Sequence, residues 1–117
     1  MADALLGAAG LPDIGNLFPA SDERYRGADS LELLREVVEL MRDRWEIVWV
    51  DSVIEAQIPR LNDYLPLMKE NLSKVINGNS NGGPRVNVKA KSPEKTGDPG
   101  AARSMVAQAV ATLRHCR

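Results

Sequence analysis

The stretch Ile47-Val48-Trp49-Val50-Asp51-Ser52-Val53-Ile54 decides the fold of this 117-residue chain. It is a nearly continuous apolar run rich in β-branched residues, which is typical of a strand covered on both faces. The segment before it predicts a helix, because apolar residues recur at helical spacing from Leu31 to about Arg44 behind an N-cap at Asp29-Ser30. A helix followed by a buried strand predicts an α/β (α+β) protein.

The patterns on either side of this pair predict the element order α-α-β-α-β-α. Residues 1–9 read as a helix with no capping residue in front, and residues 63–76 as a helix with Pro66 in its first turn. Residues 85–90 alternate with the period of a strand, and residues 105–113 predict a closing helix. Two strands are too few for an independently stable sheet, so we expect that N-terminal strands of the fold are absent from this chain.

Composition and charge limit the classes of function. Apolar residues make up 44% of the chain and charged residues 26%, which is typical of a single globular domain, and no apolar stretch approaches the ~20 residues that span a bilayer. The net charge of −1 divides into −7 over residues 1–58 and +6 over residues 59–117. The basic half has one aromatic residue, Tyr64, which disfavours nucleic acid and leaves a small phosphorylated ligand as the more plausible partner. From the charge counts alone, the simpler explanation of this uneven distribution is that the charged residues lie on solvated helix faces.

Four segments, in order along the chain, carry a family resemblance. They are residues 2–9 with Asp13-Ile14-Gly15, residues 27–30, Val50-Asp51 with Ala56-Gln57, and residues 87–90. Together they resemble the 2-C-methyl-D-erythritol 2,4-cyclodiphosphate synthase family of the non-mevalonate isoprenoid pathway, and the chain as an incomplete cyclodiphosphate-synthase fold. Residues 89–95 look more like the plant and algal plastid branch, which implies a location in the plastid stroma, with the cytoplasm as the alternative.

The resemblance also implies an activity and its partners. The family is a metal-dependent lyase that converts 4-diphosphocytidyl-2-C-methyl-D-erythritol 2-phosphate to 2-C-methyl-D-erythritol 2,4-cyclodiphosphate and CMP. It implies a homotrimer with active sites between neighbouring subunits, a phosphorylated cytidine substrate, and zinc together with magnesium or manganese as cofactors. Because one phosphate must attack another while both are anionic, such a site needs charge neutralisation.

The resemblance assigns roles to individual residues of this chain. Ser92 would donate a hydrogen bond to phosphate, and Glu94 would help to bind magnesium or manganese at the substrate diphosphate. The expected substrate-binding residues are Asp13, Gly15, Ala56, Arg60, Leu61, Asn62 and Lys91. Without the resemblance, Asp13 would be interpreted as a helix-cap or turn carboxylate and Glu94 as a solvated loop charge.

The zinc site of the family has no counterpart here. Its ligands are an Asp-x-His pair and a further histidine, whereas this chain contains one histidine, His115, which is better explained as an exposed terminal side chain. We therefore expect an N-terminally truncated member that keeps the substrate-binding half. The alternative is a non-catalytic derivative that serves as a structural subunit of a larger protein assembly, which the departures from the family pattern at Ala20, Trp49 and Glu55 favour.

Overall fold

The computed structural model describes residues 1–19, 29–56, 61–78, 83–91 and 105–116. The helices are α1 (Ala2–Ala8), α2 (Ile14–Leu17), α3 (Ser30–Met41) and α4 (Leu65–Asn77), with a 3₁₀ turn at Asn62–Tyr64 before α4. The strands are β1 (Trp45–Glu55), β2 (Val86–Lys91) and β3 (Val106–His115). Within these ranges, none of the helices is long and apolar enough to cross a membrane.

The three strands form one mixed sheet in the order β2-β1-β3. The central strand β1 pairs in parallel with β2 over residues 50–55. It pairs antiparallel with β3 along its whole length, with an irregularity in register between Ile47 and Trp49. The apolar run at 47–54 therefore forms the central strand. The predicted cover on both faces is wrong for the described residues, because Trp49 on the face opposite the helices is 43% exposed.

The predicted closing helix is wrong, because residues 106–115 form strand β3. Ala109, Ala111 and Leu113 pack against the core, while Val110 between them is 72% exposed, so the burial follows the period of a strand. The apolar residues of this segment fit both a helical and a strand period, and pairing with β1 decides between them. The observed order is α-α-α-β-α-β-β, still a mixed α/β fold, and the described sheet has three strands where the sequence predicts two.

Helices cover one face of the sheet and enclose a single hydrophobic cluster. Leu5 and Leu6 of α1, Val37 of α3 and Val50 of β1 are all fully buried in it. Burying one such side chain stabilises a folded chain by about 1.5–3 kcal/mol. The opposite face of the sheet keeps Trp49 and Val110 substantially exposed.

The ends of α3 and α4 follow from local sequence signals. The carboxylate of Asp29 accepts a hydrogen bond from the backbone N–H of Leu31 at 2.8 Å, which confirms the predicted N-cap of α3. Pro66 lies in the first turn of α4, where its missing N–H leaves no helical bond unmade. Helix α4 ends at Gly78, whose φ of 55° and ψ of −125° favour glycine.

Candidate functional site

The carboxyl ends of the parallel strands β1 and β2 bring two predicted site segments together. Glu55 is opposite Lys91 in the register, and the next backbone N–H, that of Ala56, donates to the Lys91 carbonyl at 3.1 Å. In sheets with parallel strands, ligands bind outside the carboxyl ends of those strands. The predicted substrate-binding residues Ala56 and Lys91 are therefore neighbours at this edge, where β1 and β2 end.

The described residues of the predicted substrate-binding set divide into buried and exposed side chains. Ala56 and Leu61 are buried, each with 9% of its surface exposed, whereas Asn62 and Lys91 are exposed. The backbone N–H of Tyr64 donates to the Leu61 carbonyl at 2.9 Å, which closes the 3₁₀ turn leading into α4. Among the described residues, none pairs with the ammonium group of Lys91, which is thus available to an anionic ligand.

Asp13 and Gly15 lie in a second segment, between α1 and α2. Asp13 is the exposed N-cap residue of α2, and its carboxylate accepts a hydrogen bond from the side-chain amide of Asn16 instead of from the helix backbone. A Cβ atom at position 15 would lie 3.2 Å from Oδ2 of Asp13, so glycine leaves room for that carboxylate. Asp13 thus occupies the helix-cap position that its sequence suggests, although the predicted element order contains no helix at residues 14–17.

Asp3 holds this second segment in place, a role that the sequence analysis missed. Its Oδ1 accepts a hydrogen bond from the backbone N–H of Ile14 at 2.7 Å, which ties the first turn of α1 to the start of α2. An acidic residue in the first turn of a helix is ordinarily explained by the helix dipole alone. The sequence signal that could have indicated this contact is the Gly/Pro-rich turn at residues 10–12, which returns the chain towards α1.

The structure does not join all the predicted site residues. Within the described ranges, no hydrogen bond or ion pair links Asp13 or Gly15 to the strand ends at Ala56 and Lys91. The predicted residues Arg60, Ser92 and Glu94 lie outside the described residues, as does Ala20. The part of the site that the structure brings together is therefore the pair of strand ends at Ala56 and Lys91.

An ion pair on the exposed face of the sheet connects β1 and β2. The carboxylate of Asp51 lies 2.9 Å from Nζ of Lys89, and the side-chain amide of Asn87 donates to the same carboxylate at 3.4 Å. The hydrogen bond from Lys89, followed by its charge and the bond from Asn87, holds the pKa of Asp51 below its ordinary range. This pair couples the two strands whose ends form the candidate site.

The lowered pKa of Asp51 predicts a dependence of stability on acid. A carboxyl group whose pKa is lower in the folded than in the unfolded chain stabilises the fold above its unfolded pKa, and this contribution is lost as pH falls through the folded pKa. The free energy of unfolding should therefore fall less between about pH 5 and pH 2 in Asp51→Asn than in the wild-type chain. The difference should be small, because the ion pair is exposed. Urea unfolding at a series of pH values measures this free energy, and Asp63→Asn, which changes another exposed carboxyl group, is the control. Equal pH profiles for wild type and Asp51→Asn would contradict the expectation.

The described residues do not provide a zinc site. No group of three His, Cys, Asp or Glu side chains that could hold a metal ion occurs in the described part of the chain. His115 is exposed at the end of β3 and contacts Trp45 edge to face, with ring centroids 5.0 Å apart. The described residues therefore do not fit the zinc ion that the resemblance implies.

Comparison with known protein families and sequences identifies the relatives of the chain. The profile described as the YgbB family matches residues 1–114. The 2-C-methyl-D-erythritol 2,4-cyclodiphosphate synthase of Rubrobacter xylanophilus is 42% identical over 113 residues, which cover 97% of this chain and 67% of that protein. The enzyme of the same name from Geotalea daltonii is 44% identical over 115 residues, covering 97% and 66%. The chain thus spans about two thirds of the length of these relatives.

Solved structures agree with these matches. The bifunctional IspDF of Campylobacter jejuni superposes with a TM-score of 0.87 and 34% identity, over 98% of this chain and 31% of that one. The IspF of Plasmodium falciparum, in complex with CDP, gives a TM-score of 0.79 and 29% identity, over 99% of this chain and 68% of that one. The three-stranded sheet and its helices are therefore an arrangement shared with cyclodiphosphate synthases.

Proposed function

The chain belongs to the YgbB family, and from this premise we propose that it provides the nucleotide-binding part of a 2-C-methyl-D-erythritol 2,4-cyclodiphosphate synthase. The proposed reaction takes 4-diphosphocytidyl-2-C-methyl-D-erythritol 2-phosphate to the 2,4-cyclodiphosphate and CMP. One observation carries the proposal. The backbone N–H of Ala56 donates to the Lys91 carbonyl at the carboxyl edge of the sheet, so the two residues to which we assign contacts with cytidine and phosphate are neighbours.

The residues of this edge have separate tasks in the proposed reaction. The backbone that follows Ala56, with Arg60, Leu61 and Asn62, holds the cytidine end of the substrate. The Lys91 ammonium and the Ser92 hydroxyl contact phosphate oxygens, and Glu94 helps to hold a divalent cation of the magnesium type, whose chemistry would be to neutralise the diphosphate. Asp13 and Gly15 contact the erythritol or ribose portion. Catalysis here depends mainly on positioning and charge neutralisation, because phosphoryl transfer asks little covalent chemistry of the protein.

Binding of CDP to the purified chain tests the nucleotide-binding part of this proposal. We expect Lys91→Gln to weaken CDP binding by about tenfold, because it removes one charge-assisted contact to phosphate. Lys74→Gln is the matched control, since Lys74 is an exposed lysine of α4 that pairs with Glu70. Isothermal titration calorimetry gives both affinities. Equal loss in the two variants, or no binding of CDP by the wild-type chain, would contradict the proposal.

The cofactors and the catalytic step need a separate measurement. CMP release from the substrate, with zinc and magnesium supplied, tests whether this chain turns over, and Glu94→Gln should reduce the dependence of CDP binding on magnesium. The alternative function, a non-catalytic structural subunit of a larger assembly, is not favoured, because the relatives that match nearly the whole chain are named cyclodiphosphate synthases. CMP release by the chain alone would exclude that alternative.

Self-association into a homotrimer is also part of the proposed function. The face of the sheet opposite the helices keeps Trp49 43% and Val110 72% exposed, and apolar surface of this kind is typical of interfaces. Sedimentation equilibrium measures the oligomer directly, and a Val110→Lys variant should dissociate it. A monomeric wild-type chain at micromolar concentration would contradict this part.

We further propose that the chain belongs to the plant and algal branch of the family and is located in the plastid stroma. This assignment is supported by the segment Lys89 to Lys95, whereas the two relatives compared by sequence are bacterial. A tree of family sequences tests the branch, and the source cell's own localisation of the tagged protein tests the compartment.

A further inference from the structure

A cavity lies between the helices and the sheet, at the end of the sheet opposite the proposed nucleotide site. It has a volume of about 330 Å³, and it is enclosed by the ends of α3 and α4, the start of β1 and Cys116 after β3. Trp45, the first residue of β1, lines the cavity, whereas Ala56 follows the last residue of that strand. At about 3.3 Å per residue, these two positions are on the order of 30 Å apart. We call it the Trp45 cavity.

Most of the lining belongs to the hydrophobic core. Met41 and Ile76 are buried members of the core cluster, and the half-buried ring of Trp45 packs against the same cluster. The cavity is therefore on the helix-covered side of the sheet. Its lining includes neither Trp49 nor Val110, so self-association through the opposite face does not cover it.

The charged side chains of the lining are paired with one another or with their neighbours. Arg42 lies 3.0 Å from the carboxylate of Glu39. Arg85 lies 3.6 Å from the carboxylate of Glu46, and it also donates to the Ile47 carbonyl at 3.0 Å. Because each charge has an opposite charge beside it, the cavity favours neither an anion nor a cation. The ligand that suits it is therefore neutral.

One polar atom of a lining residue is buried without a partner. No donor in the described part of the chain reaches the side-chain carbonyl oxygen of Asn77. The amide nitrogen of the same side chain donates to the Gly83 carbonyl at 3.2 Å, which fixes which of the two atoms is the oxygen. Buried polar groups are nearly always hydrogen-bonded, so this oxygen indicates a donor that the described residues do not supply.

We propose that the Trp45 cavity binds a small neutral aromatic molecule that carries one N–H or O–H donor, of the indole or phenol class. Its ring packs against the Met41 thioether and against Trp45, whose own ring contacts His115 edge to face at a centroid distance of 5.0 Å. The donor meets the Asn77 oxygen after a small rotation about the terminal torsion of that side chain, which is soft in asparagine. The volume is within the range of small-molecule sites. This binding is independent of the proposed synthase function, because it uses none of the residues assigned to it.

Calorimetric titration of the full chain with indole and with 1-methylindole tests the proposal. The two molecules have nearly the same apolar body, but only indole has an N–H donor. We expect saturable binding of both, with indole bound about tenfold more tightly because it alone donates to the Asn77 oxygen. Cys116 is the only cysteine of the chain and lines the cavity, so indole should slow its alkylation by iodoacetamide in proportion to occupancy.

Substitutions on α4 locate the contact with the donor. Asn77→Leu removes the acceptor and should abolish the preference for indole over 1-methylindole, whereas Asn77→Asp keeps an acceptor oxygen and should keep the preference. Asn71→Leu makes the same change on α4 outside the cavity lining, and it should leave both affinities unchanged. Circular dichroism verifies that each variant is folded.

Several results would overturn the proposal. They are the absence of saturable indole binding, equal affinities for indole and 1-methylindole in the wild-type chain, and indole binding that leaves the alkylation rate of Cys116 unchanged. The comparison of the two ligands needs no substitution, so it is decisive even if an Asn77 variant does not fold. Displacement of indole by CDP would place it at the strand ends instead, and would also overturn the proposal. Loss of CDP binding in Lys91→Gln with indole binding retained would support two separate sites.

Discussion

The Leu6→Ala variant is expected to unfold in urea with a free energy of unfolding about 2–5 kcal/mol below that of the wild-type chain. Leu6 is completely buried in the cluster formed by α1, α3, α4 and the sheet. Truncation removes the apolar transfer free energy of its side chain and leaves a cavity that its neighbours fill only in part. Domains of this size are stable by about 5–15 kcal/mol, so the variant should lose a large share of its stability.

The control for this prediction is Leu67→Ala, which makes the same chemical change on α4. Leu67 is 56% exposed and lies outside the core cluster, so its truncation should change the free energy of unfolding by no more than about 0.5 kcal/mol. Urea midpoints and slopes for both variants give the comparison. Similar losses in the two variants would mean that α1 does not contribute to a cooperative core.

Most of the fold could be predicted because its signals are local. The Asp29 cap and the apolar spacing after it specify α3, and Pro66 marks the first turn of α4. The continuous β-branched run at 47–54 identifies strand β1, which β2 and β3 flank in the sheet. In these places local propensity and tertiary packing favour the same structure.

The wrong prediction at β3 shows that local sequence signals do not determine the secondary structure of every segment. The sequence of β3 from Val106 to Leu113 is rich in alanine, which favours helix, and alanine is depleted in strands. The strand is specified by ten residues of pairing with β1, a partner about 60 residues away in sequence, and no local pattern encodes that contact. The small side chains of Ala109 and Ala111, which pack against the core, instead suit the close approach of α1 to β3.

The candidate site was predictable only as far as the family resemblance reached. Composition and spacing favour a helix cap for Asp13, and they give no reason to single out Ala56 or Lys91. The contact between those two residues depends on the register of β1 and β2, which spacing along the chain does not reveal. Sequence reasoning also missed the Asp3 hydrogen bond and the Asp51 ion pair, because both join segments that are separated along the chain.

Substitution of Gly78 by alanine is expected to lower the free energy of unfolding by about 1–3 kcal/mol. Gly78 ends α4 with φ at 55° and ψ at −125°, a backbone conformation that strains any residue with a Cβ atom. The new methyl group would also lie 2.8 Å from Nη2 of Arg42, so this guanidinium must move. Arg42 is paired with Glu39 at the end of α3, and its displacement would weaken the contact between the two helix ends.

Gly7→Ala provides a matched comparison of opposite sign. Gly7 lies within α1, and a Cβ atom there would meet no other atom within 4 Å. Alanine should therefore stabilise the chain by about 0.5–1 kcal/mol, because glycine loses more conformational entropy on entering a helix. Urea unfolding of both variants, together with Arg42→Ala/Gly78→Ala, separates backbone strain from the clash. If Gly78→Ala is as stable as Gly7→Ala, α4 does not end in the strained conformation. If the additional removal of the Arg42 side chain recovers the lost stability, the contact with the guanidinium group, and not backbone strain, causes the loss.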